Sequence, residues 1–467
     1  MPLSRHSRLA AALLLGLAGT SPVLAQDDNG LHQDGLPMLL NPDSDRSLEF
    51  DWPILQVGTG EYPDGPTGVT VFHFQEKVLA AVDIAGGGPG TVNAEYLQLG
   101  YDYPEVDTIV FSGGSWYGLE TVTAVATAMK DDGIRDGNAF SAEPNIALSV
   151  GSIIFDFGSR RLNEIHPDRE LAQATFRATE PGRFPLGAHG AGRFAKTGAF
   201  FGCNAFGGQG GAYREIGDLR IAAFTVVNAF GVVSDREGRL AACYEGENWP
   251  EDVRVSDLMS QFPESRSADW GEEEGPQAGR GNTTVSLIVV NQRLTPDELE
   301  RLAAQVHLSM ARAIQPFGTL FDGDVLYAVS TAEIDEPAMM LPDLGAVASE
   351  VMWDAILSSV PEQPEAVAPD ADFSPDRDAL RAREGTYVFS PFVSVEIEER
   401  GGRLYARATG ERPAYAIDGD EATELLPVSE DRFTIPGRYP LTIAFDGEDT
   451  LVFNPGHWEQ RGERSDG

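Results

Sequence analysis

The stretch "GNTTVSLIVVN", residues 281–291, decides how the chain is read. Apolar residues fall on odd and even positions alike from Val285 to Val290, which predicts a strand buried on both faces. A strand of that kind belongs inside a layered fold, yet this one opens on Asn282, Thr283 and Thr284. The preceding "SRSADWGEEEGPQAGRG" (265–281) is polar, acidic and glycine-bearing, and reads as an exposed loop. Asn-Thr-Thr has three readings: a glycosylation sequon, an ordinary loop-to-strand junction, or a place where the chain is cut. In the third, scission between Asn282 and Thr283 gives Thr283 a free α-amine beside its own hydroxyl. Such an amine, with an unperturbed pKa near about 8, can serve as the hydroxyl's general base without any histidine.

Around this strand the chain alternates strands and helices. "TGVTVFHF" (67–74) and "VLAAVDIAGGGPGT" (78–91) read as a hairpin ending in a glycine turn, after an extended leader at 26–60. "VDTIVFSGGSWYGLETVTAVATAMKDDG" (106–133) reads as a buried strand, a turn and a helix, and "NIALSVGSIIFDFG" (145–158) as a strand pair. "RFAKTGAFFG" (193–202) and "DLRIAAFTVVNAFGVV" (218–233) read as strands joined by the Gly-rich "CNAFGGQGGAYREI" (203–216). In "TPDELERLAAQVHLSMARAI" (295–314), Thr295 and Glu298 predict a capping box with Pro296 at the first helical position. A strand at "GDVLYAVST" (323–331) and a helix at 341–360 complete the pattern. Buried strands with helices outside predict an α/β fold, a four-layer αββα sandwich, over residues 26–360. A Pro- and acid-rich linker at 361–384 then leads to short alternating strands, a small antiparallel β domain at 385–467.

Composition narrows the function. The formal net charge of −39 argues against nucleic acid, whose phosphates need Lys and Arg. "MPLSRHSR" followed by "LAAALLLGLAG" and "VLA" reads as a signal peptide over 1–25 cut after Ala25, so a periplasmic or secreted protein is expected, with no membrane segment in the mature chain. In such a compartment Cys203 and Cys243 can form a disulfide, and the sequence leaves open whether they do. The only lysines are Lys77, Lys130 and Lys196, and Lys196 sits in an apolar, Gly-flanked segment.

Other chemistries are weakly marked. The histidines are scattered without metal-ligand spacing, so no metal or cofactor is predicted, and His307 reads as a packing residue on its helix. "AGGGPGT" lacks the Lys-Ser/Thr of a phosphate-binding loop and reads as a tight turn. "GGSWYG" (113–118) misses the register of a nucleophile elbow, because Tyr117 stands where the second glycine belongs. Ser115 is better read as part of a turn feeding a helix N-terminus.

Taken together, "DIAGGGPGT", "IVFSGGSWYGLE", "GSIIFDFG", "GNTTVSLIVVN" and "FDGDVLYAVST" resemble, in order and spacing, the DmpA-like aminopeptidase family. They resemble most its branch of nylon-oligomer (6-aminohexanoate-oligomer) hydrolases, over about residues 50 to 360. The resemblance implies a precursor that cuts itself at Asn282–Thr283 into α (26–282) and β (283–467) chains. It also implies the αββα sandwich, a tetramer of αβ units, and hydrolysis of short peptides or linear ω-amino-acid oligomers through Thr283. By the same resemblance Lys196 lies beside the nucleophile, and Asn228 contacts it and can donate to an oxyanion. Tyr117 lines the site. Asp322 and Asp324, two apart on a strand, face one site and hold the Thr283 amine or the Lys196 ammonium. The C-terminal strands resemble a small lipocalin-like domain found after secreted hydrolases. An acyltransferase of the ornithine acetyltransferase type and a non-catalytic envelope binding protein remain the alternatives.

Overall fold

The structure is a computed structural model that describes residues 33, 35–98, 100–138, 145–158, 162–203, 205–243, 252–260, 282–364, 367–435 and 441–465. The expected signal peptide and the acidic loop at 265–281 lie outside the described residues. Among those described, no helix is long and apolar enough to cross a membrane.

Eight longer strands build the first domain: β1 (Leu55–Tyr62), β2 (Thr67–Ile84), β3 (Glu105–Ser112), β4 (Ser149–Ile153), β5 (Gly208–Ile216), β6 (Leu219–Asn228), β7 (Thr283–Gln292) and β8 (Val325–Ile334). Their order is β5-β6-β7-β8-β2-β3-β4, with β1 also paired to β2. Neighbours are antiparallel except for β7 with β8 and β3 with β4. Four helices cover them: α1 (Glu120–Asp131), α2 (Arg169–Arg177), α3 (Pro296–Ser309) and α4 (Leu341–Ser358).

Side-chain alternation sorts this continuous ribbon into two packed layers. On β7, Val285, Leu287 and Val289 join Phe72, Phe224 and Tyr327 in a core between the layers. Ile288 and Val290 point the other way, onto Leu299, Leu302, Met352 and Ile356 of α3 and α4. On the opposite outer face Val69, Val71 and Val110 meet Val122, Val125, Leu171 and Phe176 of α1 and α2. Helix, sheet, sheet, helix is the αββα sandwich, and all ten residues of β7 are buried within it. The capping box of α3 forms as the sequence predicts, with Thr295 and Glu298 each bonded to the other's backbone N–H.

Three expectations are corrected. The predicted hairpin at 67–91 is the single strand β2. Its first half pairs with β1 and its second with β8, passing from one layer to the other where the register against β3 shifts between His73 and Val78. The leader at 26–60 is not all extended chain outside the fold, since Leu55–Tyr62 is β1, almost wholly buried. The Gly-rich segment after Cys203 is not a connection alone, because Gly208–Ile216 is the edge strand β5. A Cβ at Gly210 would stand 1.9 Å from the Ala355 carbonyl oxygen, so glycine is what lets α4 pack directly on that strand's backbone.

The C-terminal domain is a closed barrel of eight antiparallel strands: β9 (Gly385–Ser390), β10 (Val393–Glu399), β11 (Leu404–Ala408), β12 (Thr423–Pro427), β13 (Arg432–Ile435), β14 (Leu441–Asp446), β15 (Thr450–Phe453) and β16 (Gln460–Arg464). Closure leaves no unpaired edge. Tyr387, Ile397, Leu404, Ile443 and Phe453 fill its interior. The segment read as a bare linker contains a short helix, α5 (Arg377–Ala382), capped by the Asp376 carboxylate and sending Leu380 into the barrel core.

Candidate active site

The pairing of β6 with β7 places Asn228 opposite Thr283. Thr283 shares the parity of Val285 and Leu287, and Asn228 that of Val226 and Phe224, which are the residues between the two layers. Both are buried.

The peptide bond before Thr283 is gripped by its surroundings. The Thr283 hydroxyl donates to the Asn282 carbonyl oxygen at 2.6 Å. The Gly323 N–H donates to that same oxygen at 2.7 Å, and the Asn282 N–H to the Phe321 carbonyl at 3.4 Å. The Gly323 N–H is a donor aimed at the oxygen where negative charge builds when a nucleophile adds to the carbon, and the Thr283 hydroxyl lies against the same carbonyl.

The grip comes from residues 318–324, which precede β8. Asp322 and Asp324 lie in this loop and not along a strand as expected, and their carboxyls accept from backbone amides. Asp324 accepts from Thr284 N–H at 2.7 Å and Gly318 N–H at 3.0 Å. Asp322 accepts from Thr319 N–H at 2.9 Å and Phe230 N–H at 3.3 Å. Both carboxyls are 1% exposed. Burial, and then the charge of Asp322, push the Asp324 carboxyl up to about 7 against the opposing effect of its amide bonds. Burial likewise raises Asp322. The turn read as structural supports this loop from behind: Gly87 N–H donates to the Thr319 carbonyl at 3.1 Å and Gly88 N–H to the Asp322 carbonyl at 2.9 Å.

Lys196 enters from the other side. Its backbone N–H donates to Asn228 Oδ1 at 2.9 Å, while Asn228 Nδ2 donates to the Phe155 carbonyl at 3.2 Å. Asn228 therefore ties the lysine segment, the end of β4 and the start of β7 together. The Lys196 Nζ lies 3.0 Å from the centroid of the Phe206 ring, and burial holds its amine well below the usual lysine range.

Tyr117 stands apart from this group. It is 67% exposed, in the turn Ser115–Leu119, and its ring meets Phe157 and His166. Phe157 is two residues from Phe155, whose carbonyl accepts from Asn228 Nδ2. Ser115 has a φ of +52° and gives its N–H to the Ile154 carbonyl, as a turn residue does. Cys203 and Cys243 are joined, Cα–Cα 5.0 Å, closing the loop that follows Lys196. His307 is buried, with Nδ1 bonded to Asp83 at 2.7 Å and Nε2 without a hydrogen-bond partner among the described residues. Sequence reading missed Gly323 and Phe206. The glycine's only signal was its place inside "FDGD", and the phenylalanine had none.

Several known proteins are similar to this chain. A 6-aminohexanoate-oligomer endohydrolase of Paenarthrobacter ureafaciens is 38% identical over 324 residues, covering 67% of this chain and 85% of the relative. An uncharacterized aminopeptidase of Mycobacterium bovis is 28% identical over 309 residues, covering 63% and 85%. Among solved structures, a Burkholderia beta-aminopeptidase aligns with a TM-score of 0.46 at 18% identity, covering 66% of this chain and 84% of the other. The model of Peptidase family S58 matches residues 51–369, from the start of the first sheet through the whole sandwich, and the chain belongs to that family.

Proposed function

We propose that this protein is an exported amide-bond hydrolase that cuts itself between Asn282 and Thr283 and then uses Thr283 as an N-terminal nucleophile. The observation that carries the reading is the placement of Thr283 Oγ and the Gly323 N–H against the one Asn282 carbonyl, 2.6 and 2.7 Å from its oxygen. In the first step the Thr283 hydroxyl oxygen adds to the Asn282 carbonyl carbon while Gly323 N–H holds the oxygen. The C–N bond then breaks, its nitrogen takes up the proton that the hydroxyl gave to a base, and an ester joins Asn282 to Thr283 Oγ. Water hydrolyses the ester, leaving a carboxylate on Asn282 and a free amine on Thr283.

At that first step the Thr283 nitrogen is still an amide and cannot act as a base. Lys196 suits the role, since burial favours its neutral form. After scission the freed α-amine takes over as base. The position that Asn282 O vacates becomes the place for a substrate carbonyl oxygen, with Gly323 N–H again the donor. Asp322 and Asp324 keep the loop that carries this donor in place, and Tyr117 contributes to the rim.

The substrates in this reading are short peptides or linear ω-amino-acid oligomers, with the latter favoured by the higher identity to an oligomer endohydrolase than to an aminopeptidase. The working form is a tetramer of αβ units, α 26–282 and β 283–467. The test is a denaturing gel with N-terminal sequencing, repeated for Thr283→Ala, followed by amine release from peptides and 6-aminohexanoate oligomers. Two bands, one beginning Thr-Thr-Val and absent from the variant, are expected. A single band together with intact amidase activity would sink the proposal.

A further inference from the structure

The C-terminal barrel lies beyond the residues that match the family, yet it reaches the segment that carries Lys196. Lys196 and Phe206 face each other across a two-residue antiparallel pairing, Lys196–Thr197 with Ala205–Phe206. The lysine Nζ is 3.0 Å from the Phe206 ring centroid, a distance possible only over the face of the ring. The indole of Trp458, in the turn between β15 and β16, stacks on the same phenylalanine at 3.9 Å and 21°. A lysine amine and an indole cannot share one face at those distances, so Phe206 is sandwiched with Lys196 on one side and Trp458 on the other.

Trp458 is itself anchored. Its Nε1–H donates to the Arg193 carbonyl at 2.7 Å, three residues before Lys196. Arg193 returns a bond to the His457 carbonyl at 3.1 Å, and His457 Nε2 meets the Ala188 carbonyl. Behind them the fully buried Glu61 binds Arg193, the Gly190 N–H at 2.8 Å and His189 at 3.1 Å. Among the described residues Lys196 itself faces the rings of Phe194 and Phe206. The connection between the domains contributes too. Gln363 Oε1 accepts from Phe206 N–H at 2.7 Å, and its Nε2 donates to the Phe206 carbonyl at 3.0 Å.

We propose that the C-terminal module completes the active site, with Trp458 and Gln363 as positioning residues that hold Phe206 and, through it, the Lys196 side chain. This rests on Lys196 taking part in the proposed chemistry. Gln363 fixes the backbone of Phe206 and Trp458 fixes its ring, so the lysine amine has one defined seat and is shielded from water on the far side.

The full-length chain carries only three lysines, so trace labelling with acetic anhydride, read at Lys196 by peptide mass spectrometry, titrates that one amine with Lys77 and Lys130 as internal standards. In Trp458→Ala, water admitted behind Phe206 is expected to move the Lys196 midpoint upward by about one pH unit. Loss of the fixed seat is expected to lower kcat about tenfold or more with KM within about twofold. Trp458→Phe, which keeps a stacked ring, restores most of both. Gln363→Ala, which leaves the barrel untouched, shifts both in the same direction and stands in if Trp458→Ala does not fold by circular dichroism. An unchanged midpoint and an unchanged kcat in both alanine variants overturn the proposal. A raised midpoint with unchanged kcat overturns it as well. Lys196→Ala, expected to be inactive, then separates the causes: retained activity there means that the assignment of Lys196 has failed, whatever Trp458 does.

Discussion

Substituting Gly323 by alanine tests the self-cleavage chemistry at one atom. The backbone of Gly323 has no left-handed conformation to protect, so the effect is a matter of space. A Cβ at 323 would stand 2.6 Å from Thr283 Oγ, 2.8 Å from the Gly88 carbonyl oxygen and 3.3 Å from Thr283 Cγ2. The first contact is about 0.8 Å inside the 3.4 Å at which ordinary contact begins, so something must give. Gly88 blocks retreat on one side, because its N–H holds the Asp322 carbonyl at 2.9 Å. The remaining movements are rotation of the Thr283 hydroxyl off the Asn282 carbonyl, or withdrawal of the loop. Withdrawal lengthens the 2.7 Å bond from Gly323 N–H. Loss of one oxyanion donor slows acyl chemistry by about 10² to 10³, roughly 3 to 4 kcal/mol in the barrier. Overpacking at a single loop position costs about 1 to 3 kcal/mol of stability, which a domain of this size tolerates. The assay is a time course of the uncut chain by intact mass after brief expression, with thermal melting run alongside. Gly323→Ala should fold and persist uncut at least a hundredfold longer than the parent. Scission at the parental rate in a folded variant would refute the idea that Gly323 N–H stabilises the reacting carbonyl.

Three further perturbations bear on the same assembly. Asn228→Ala leaves the Lys196 N–H and the Phe155 carbonyl without their partner, which should cost about 1 to 3 kcal/mol in urea melts and slow scission; Asn228→Asp keeps the acceptor alone and should fall between. The folded-state pKa of Asp324, about 7, lies above the ordinary 3.8, so its contribution to stability is fully present below that ordinary value and lost as pH rises through 7. The melting temperature should therefore fall between about pH 4 and 7 and level off above, and Asp324→Asn should flatten that slope; a rise over the same window, or an unchanged slope in the variant, contradicts it. Removing the Cys203–Cys243 bridge frees a loop spanning 40 positions, worth about 4 kcal/mol by loop closure, so the Cys203→Ser/Cys243→Ser pair should unfold at markedly lower urea and lose its sensitivity to reductant.

What could be read from the sequence was local. The two-faced burial of Thr283–Gln292 follows from its unbroken apolar run, and the start of α3 from Thr295, Pro296 and Glu298. Where a short-range signal competed with a long-range partner, the partner won. Gln75 and Glu76 look like a turn between two strands, but they are the exposed point at which one strand crosses from layer to layer. The glycines of Gly208–Ile216 look like loop, but they admit the backbone of α4. "FDGD" looks like a strand presenting two carboxylates, whereas its acids accept from four backbone amides and its glycine supplies the N–H that faces the Asn282 carbonyl. The same asymmetry explains why Thr283 and Lys196 stand out in the sequence while Gly323, Phe206, Gln363 and Trp458 do not. A nucleophile and a base are defined by their own functional groups, which a sequence displays. A donor or a support is defined by what it meets, and Phe206 meets residues 157 and 252 positions away. If that support matters to the chemistry, the barrel cannot be exchanged or removed without retuning Lys196, even though no residue of it reacts.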